Sequence, residues 1–156
     1  MDALVREEIS RFEEAAIEAG LTISLEVVPV PPVRGSGRDL SLLIRNLLDN
    51  AIRYTKSDGT VVASVAADNG SVVLRVADTG SGIPSKELAR VFERFYRVDR
   101  ARSRETGGTR LGLAIVRHVA ENHGGTVTVE SELGRGSTFE VRLPSATTDM
   151  TEPARV

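Results

Sequence analysis

Cysteine is absent from the 156 residues, which excludes disulfides, thiolate zinc sites and cysteine nucleophiles. Histidine occurs twice, at His118 and His123, too few for a histidine-rich metal site. No apolar run approaches the roughly 18 residues expected of a membrane helix, and the Met1 end (MDALVREEIS) lacks the apolar stretch of a signal peptide. The chain is therefore expected to be soluble. An excess of one charge is lacking too. Lys and Arg number 20 against 22 Asp and Glu, a net −2, so no whole-surface field draws nucleic acid or an anionic membrane. No nucleic-acid partner is expected. With 40% hydrophobic and 27% charged residues, the composition is that of an ordinary soluble globular domain. The length predicts a single domain that buries roughly 70% of its unfolded surface.

Lysine is scarce, 2 against 18 Arg. Seven of these, Arg90, Arg94, Arg97, Arg100, Arg102, Arg104 and Arg110, share one 21-residue window with only Glu93, Asp99 and Glu105, a local +4. Such a window is either a solvated loop or a segment that faces an anion.

Val5, Ile9, Phe12, Ala16 and Ala19 recur at helical spacing before Gly20, which predicts an amphipathic helix over 3–19. Ile23, Leu25 and Val27 alternate with polar residues as in a half-buried strand. Pro29, Pro31 and Pro32 interrupt it, with a short strand expected near Val33. The clearest helix is 38–55, where Leu40, Leu43, Ile44, Leu47 and Ala51 share one face. At about 100° per residue, Asn46, Asn50 and Arg53 form an adjoining polar stripe. Asn is a poor helix former, so two of them one turn apart reflect either function or indifference.

Strands are predicted at 60–66 and 71–77, joined through Asp68-Asn69-Gly70, a strong hairpin signal. The second runs into the glycine-rich turn Asp78-Thr79-Gly80-Ser81-Gly82-Ile83-Pro84, and residues 85–91 read as helical. An irregular polar stretch over 93–109 precedes a glycine-rich turn and a helix within 107–125. That helix has apolar residues around most of its circumference, and is expected to be mostly buried. A last hairpin, 126–131 and 137–143, surrounds Gly134 and Gly136, and 145–156 reads as a frayed tail. Hairpins separated by helices predict an α+β fold, a mixed sheet covered by helices on one face.

The P-loop pattern, a full GxGxxG and the H-R-D and D-F-G set of protein kinases are all absent. His118 and His123 read as structural or surface residues. What remains describes an adenine nucleotide pocket. Gly107 and Gly108 ahead of a helix expose backbone N–H groups to an anion, and nearby arginines offer forked donors to phosphate. Asn50 offers a neutral oxygen to Mg²⁺, which takes few protein ligands and shares phosphate oxygens. Asp78, at a strand end beside a turn that admits a flat ring, could accept a proton from an exocyclic amine. Such a charge-assisted bond contributes roughly 1.5–3 kcal/mol.

NLLDNAIRYT (46–55), DTGSGIP (78–84), VFERFYRVD (91–99), GGTRLGL (107–113) and GRGSTF (134–139) resemble, in order and spacing, the N, G1, F, G2 and G3 boxes of sensor histidine kinases. The resemblance covers about 3–143. It implies the ATP-binding catalytic domain, a Bergerat-type (GHKL) α/β sandwich with a mostly antiparallel sheet, over residues 1–144. It implies that Asn50 holds Mg²⁺ while Asn46 and Arg53 approach the phosphates. Tyr54 would lie against the adenine, or simply pack, and Asp78 would bind its amine. Gly80 and Gly82 would let the chain pass close to the base, with Ile83 beside it. Phe92 and Phe95 would anchor a flexible ATP lid, 96–109, or serve the core alone, and Arg97 would contact phosphate as a catalytic residue with Asn46. Gly108, Thr109, Leu111 and Gly112 would wrap the phosphates, and Thr138 would support Asp78.

Related ATPases of the gyrase, mismatch-repair and chaperone types carry Glu where this sequence has Asn46, and that carboxylate would activate water. An amide cannot take the proton, so Asn46 argues against efficient hydrolysis. A histidine acceptor needs less activation, because neutral imidazole is already a nucleophile. In the family that histidine lies on a separate dimeric helical hairpin, for which no candidate precedes Asn46 in this chain. The expectation is a catalytic domain of a longer, homodimeric, membrane-anchored bacterial kinase. It would be cytoplasmic and monomeric in isolation, serving a response regulator and unable to phosphorylate itself alone. The alternatives are a degenerate ATP-sensing module or a GHKL ATPase. One departure stands out: the family usually reads GGTGLGL, and Arg110 takes the third glycine position. At φ > 0 this costs about 1 kcal/mol or more, unless Arg110 adds a phosphate contact or holds the lid closed.

Overall fold

The computed structural model describes residues 1–93 and 112–146. Helix α1 (Asp2–Glu18) is followed by strand β1 (Thr22–Val27), helix α2 (Gly37–Tyr54) and the hairpin of β2 (Thr60–Asp68) and β3 (Ser71–Asp78). A 3₁₀ turn (Ser85–Arg90), helix α3 (Gly112–Asn122) and the hairpin of β4 (Thr126–Glu132) and β5 (Gly136–Pro144) complete the order. The five strands form one sheet in the order β1-β2-β3-β5-β4. β1 and β2 are parallel, as the α2 crossover between them requires, and every other pair is antiparallel. This is the mixed, mostly antiparallel α+β sheet that the sequence predicts. Among the described residues, no helix is long and apolar enough to cross a membrane.

α2 starts at Ser36, whose hydroxyl accepts the Asp39 N–H at 3.1 Å, satisfying one of the unpaired donors at a helix start. Leu40, Leu43, Ile44, Leu47, Leu48 and Ala51 are all buried. They meet Val61, Ala63 and Val65 of β2, Val72, Leu74 and Val76 of β3, and Phe139, Val141 and Leu143 of β5 in one core. Period-2 alternation puts these strand residues on the helix-covered side. The opposite side carries a ladder of ion pairs: Arg75 to Glu140 at 2.7 Å, Glu140 to Arg142 at 2.8 Å, and Arg142 to Asp68 at 2.9 Å. The Arg75 guanidinium holds the Glu140 carboxyl below the usual carboxylate range.

The Asn-Gly turn forms as expected, with Asn69 and Gly70 at φ 51° and 80°, the paired positive values that suit a two-residue hairpin. Three expectations need correction. α3 is one-sided: Val116, Val119 and Ala120 are buried while Arg117 and His118 are exposed. The helix lies at the end of its layer, against α2 and the β4–β5 hairpin. The expected strand near Val33 is a single antiparallel bridge to Ser145. Residues 145 and 146 belong to the fold rather than to a tail. Both are buried, with Ser145 N–H on Gly70 O at 3.0 Å and Ala146 N–H on Pro32 O at 2.7 Å. Glu8, an apparent surface residue of α1, is only 2% exposed and pairs with Arg45 of α2 at 3.3 Å.

Leu47 is 1% exposed at the centre of this core. Truncation to alanine is expected to lower the unfolding free energy by about 2–5 kcal/mol, read from the shift of the urea midpoint at unchanged slope.

Candidate nucleotide site

Three elements converge at one end of the central strands: the C-terminal half of α2, the turn that leaves β3 and the tip of the β4–β5 hairpin. The turn is tied to both neighbours through its backbone. Ser81 N–H donates to Tyr54 O at 3.1 Å, and Gly134 N–H donates to Ser81 O at 2.8 Å. The fit leaves room only for glycine at two positions. A Cβ on Gly80 would stand 2.3 Å from Tyr54 O, and one on Gly82, at φ 73°, would stand 2.2 Å from Glu132 O.

Asp78 closes β3 directly opposite Ser137 of β5. Its Oδ1 accepts two backbone N–H groups, Gly80 at 2.9 Å and Ser137 at 3.3 Å. Oδ2 has no partner among the described residues. Burial pushes the carboxyl above its ordinary value of 3.8, and the two N–H bonds oppose that shift without cancelling it. An oriented, desolvated acceptor with one oxygen uncommitted is suited to a ligand N–H donor.

On α2, Asn50 is half-buried, and its side chain makes no hydrogen bond among the described residues. Its carboxamide oxygen is the hard, neutral donor that Mg²⁺ accepts beside phosphate oxygens. No cluster of three or more His, Cys, Asp or Glu is present among the described residues. Asn46 donates through Nδ2 to Leu42 O at 2.9 Å. Arg53, expected at the phosphates, is held by Asp49 on its own helix, Nε to Oδ2 at 2.8 Å. Tyr54 is half-buried, and its carbonyl meets the turn.

Thr138 is misplaced in the sequence reading. It pairs with Ala77, on the side of the sheet away from Asp78. Ser137 is the residue that faces Asp78, and Ser131 stands behind it. Ser131 Oγ accepts the Ile83 N–H at 2.7 Å, lies 2.8 Å from Ser137 Oγ, and donates to Gly136 O at 2.9 Å. Strand parity counted back from buried Phe139 would have selected Ser137. Nothing in TVTVES marks Ser131.

Phe92 is 9% exposed and meets Phe139 edge-on, with ring centroids 5.9 Å apart, so it anchors the core. Gly112 is the first described residue of α3 and is half-buried. Phe95, Arg97, Gly108, Thr109, Arg110 and Leu111, with the expected lid, lie outside the described residues. Both histidines are engaged structurally. His123 Nε2 accepts Ser36 N–H at 3.2 Å while Nδ1 lies 2.8 Å from Val119 O, and His118 Nε2 lies 3.1 Å from Asn122 Nδ2.

Residues 35–147 match the family model described as histidine kinase-, DNA gyrase B-, and HSP90-like ATPase. The sensor-like histidine kinase SenX3 of Mycolicibacterium smegmatis is 43% identical over 144 residues, covering 92% of this chain and 38% of that protein. The phosphate regulon sensor protein PhoR of Pseudomonas aeruginosa is 43% identical over 138 residues, 87% of this chain and 31% of its own length. The chain thus spans well under half of these relatives. The solved structure of the mycobacterial sensor histidine kinase MprB superposes with a TM-score of 0.82 at 31% identity, covering 93% of this chain and 95% of that one. Full-length ShkA in complex with AMPPNP gives 0.79 at 34% identity, over 92% of this chain and 29% of that one.

Because the Asp78 carboxyl is raised in the fold, the native state holds its proton more tightly than the unfolded chain. Its contribution to stability therefore falls as pH rises from 3.8 through the raised folded value, then levels off. Asp78→Asn keeps the acceptor for both N–H groups and removes the charge. The variant is expected to gain melting temperature relative to the wild type as pH rises through that window, with no further gain above it, in paired thermal melts.

Proposed function

The chain belongs to the histidine kinase-, DNA gyrase B- and HSP90-like ATPase family, and we propose that it binds Mg·ATP and transfers the γ-phosphoryl group to a histidine on a separate dimerisation hairpin. The observation that carries this reading is Asp78, with Oδ1 held by Gly80 and Ser137 and Oδ2 turned to no partner among the described residues. Oδ2 accepts the exocyclic amine of adenine, and Ile83 and Tyr54 flank the ring. A guanine, with a carbonyl at that position, sets lone pairs against the carboxylate.

Asn50 would hold Mg²⁺, which when bound neutralises charge between the β- and γ-phosphates. Asn46 and Arg53 lie on the same stripe of α2, and the family motif that ends at the first described turn of α3 would offer backbone donors to the phosphate chain. Arg97, Gly108, Thr109 and Leu111 are assigned to the phosphates by their match to the family motifs. Transfer to imidazole then depends on positioning and on stabilising the moving charge. Asn46, an amide, supplies no base for water, which favours kinase over ATPase.

Within a full-length protein the acceptor hairpin would also carry the dimer contacts, and the phosphoryl group would pass to an aspartate of a response regulator. Anchoring of the whole kinase in a membrane belongs to the same proposal.

Calorimetric titration with a non-hydrolysable ATP analogue tests the reading. Binding is expected to be saturable and tighter with Mg²⁺, and Asn50→Ala is expected to lose that increment while keeping Mg²⁺-free affinity. Equal Mg²⁺ dependence in both proteins would remove Asn50 from the site. Incubation with labelled ATP and a separately supplied acceptor hairpin is expected to label the hairpin and not this chain. Binding without such transfer would instead favour an ATP-sensing module.

A further inference from the structure

We propose that Ser131 is a positioning residue for adenine, the side chain that sets the spacing between Ile83 on the flank of the ring and Asp78 on its edge. The inference rests on the nucleotide-binding reading and adds a determinant of base selection to it. Outside Asp78 itself, the stretch 80–83 is fastened at three points. Two are backbone to backbone, Ser81 N–H to Tyr54 O and Gly134 N–H to Ser81 O, and no side chain can alter them directly. The third, Ile83 N–H to Ser131 Oγ at 2.7 Å, is made by a side chain of another element. Pro84 follows, with no N–H of its own, so this bond is the last hold on the turn before the 3₁₀ segment.

The Ser131 hydroxyl uses its full capacity of one donor and two acceptor positions. It donates to Gly136 O at 2.9 Å, and accepts from Ile83 N–H and from Ser137 Oγ at 2.8 Å. Ser137 in turn donates its backbone N–H to Asp78 Oδ1 at 3.3 Å. A continuous set of hydrogen bonds therefore runs from Ile83 through Ser131 and Ser137 to Asp78. Removing the Ser131 hydroxyl leaves the backbone fastenings at Ser81 intact and releases Ile83 relative to the carboxylate. Contacts to the triphosphate, on α2 and α3, do not pass through it.

The test is displacement of a fluorescent ATP analogue by AMPPNP and by its guanine counterpart, for the wild type, Ser131→Ala and Ser131→Thr, with thermal melts alongside. Ser131→Ala is expected to weaken AMPPNP about tenfold, and to narrow the preference for adenine over guanine by a similar factor. Ser131→Thr, which keeps the hydroxyl, is expected to recover most of that preference. Loss of melting temperature with an unchanged adenine-to-guanine ratio would make Ser131 a hairpin staple only and overturn the proposal. AMPPNP affinity within twofold of wild type would overturn it as well. A wild-type chain that fails to displace the probe with either nucleotide would overturn the nucleotide reading itself, and this inference with it.

Discussion

The two N–H bonds that hold Asp78 Oδ1 are the contact on which the rest of the site depends. One comes from Gly80, which must lack a side chain because Tyr54 O lies where its Cβ would be. The other comes from Ser137, which reaches Asp78 only because β3 and β5 pair in this register. A slip of one residue would turn every side chain to the other face. That slip is opposed by Val72, Leu74 and Val76 on β3, and Phe139, Val141 and Leu143 on β5, all buried beneath the helices. The apolar pattern of the strands thus places the carboxylate to which the proposed function assigns the choice of base.

α2 links the same core to the end where the proposed function places the phosphates. Its buried stripe fixes the rotation of the helix, and rotation decides where Asn46 and Asn50 point. Two features of the site have no structural benefit of their own. Asp78 is desolvated enough for its carboxyl to be raised, and Asn50 is half-buried without a partner among the described residues. Local costs of this kind concentrate where a fold serves a ligand. The Asp49–Arg53 pair has a different character. It is a surface i,i+4 contact of small energetic weight.

Much of this was legible in the sequence where the signal is local or strongly periodic. The buried face of α2 follows from a 3.6-residue period, the β2–β3 turn from Asn-Gly, and the architecture from hairpins alternating with helices. Signals that depend on distant partners were not legible. Ser145 and Ala146 look like tail until Gly70 and Pro32 are seen to accept their N–H groups. α3 has the composition of a buried helix, and its place at the end of the layer is a tertiary fact. Glu8 resembles any other surface glutamate of α1 until Arg45 is found across the helix pair. Thr138, expected beside Asp78, lies on the other face, a parity that the buried Phe139 marks in the sequence. Ser131 carries no signal at all in an alternating strand, since its meaning lies in the turn that rests against it.

The proposal that Asp78 reads the exocyclic amine of adenine is tested by comparing the binding of ATP and of inosine triphosphate to the wild-type chain. The two differ at the ring position that faces the carboxylate, an amine donor in one and a carbonyl acceptor in the other. ATP is expected to bind at least about tenfold more tightly, the equivalent of one charge-assisted hydrogen bond. Equal affinities for the two nucleotides would contradict it.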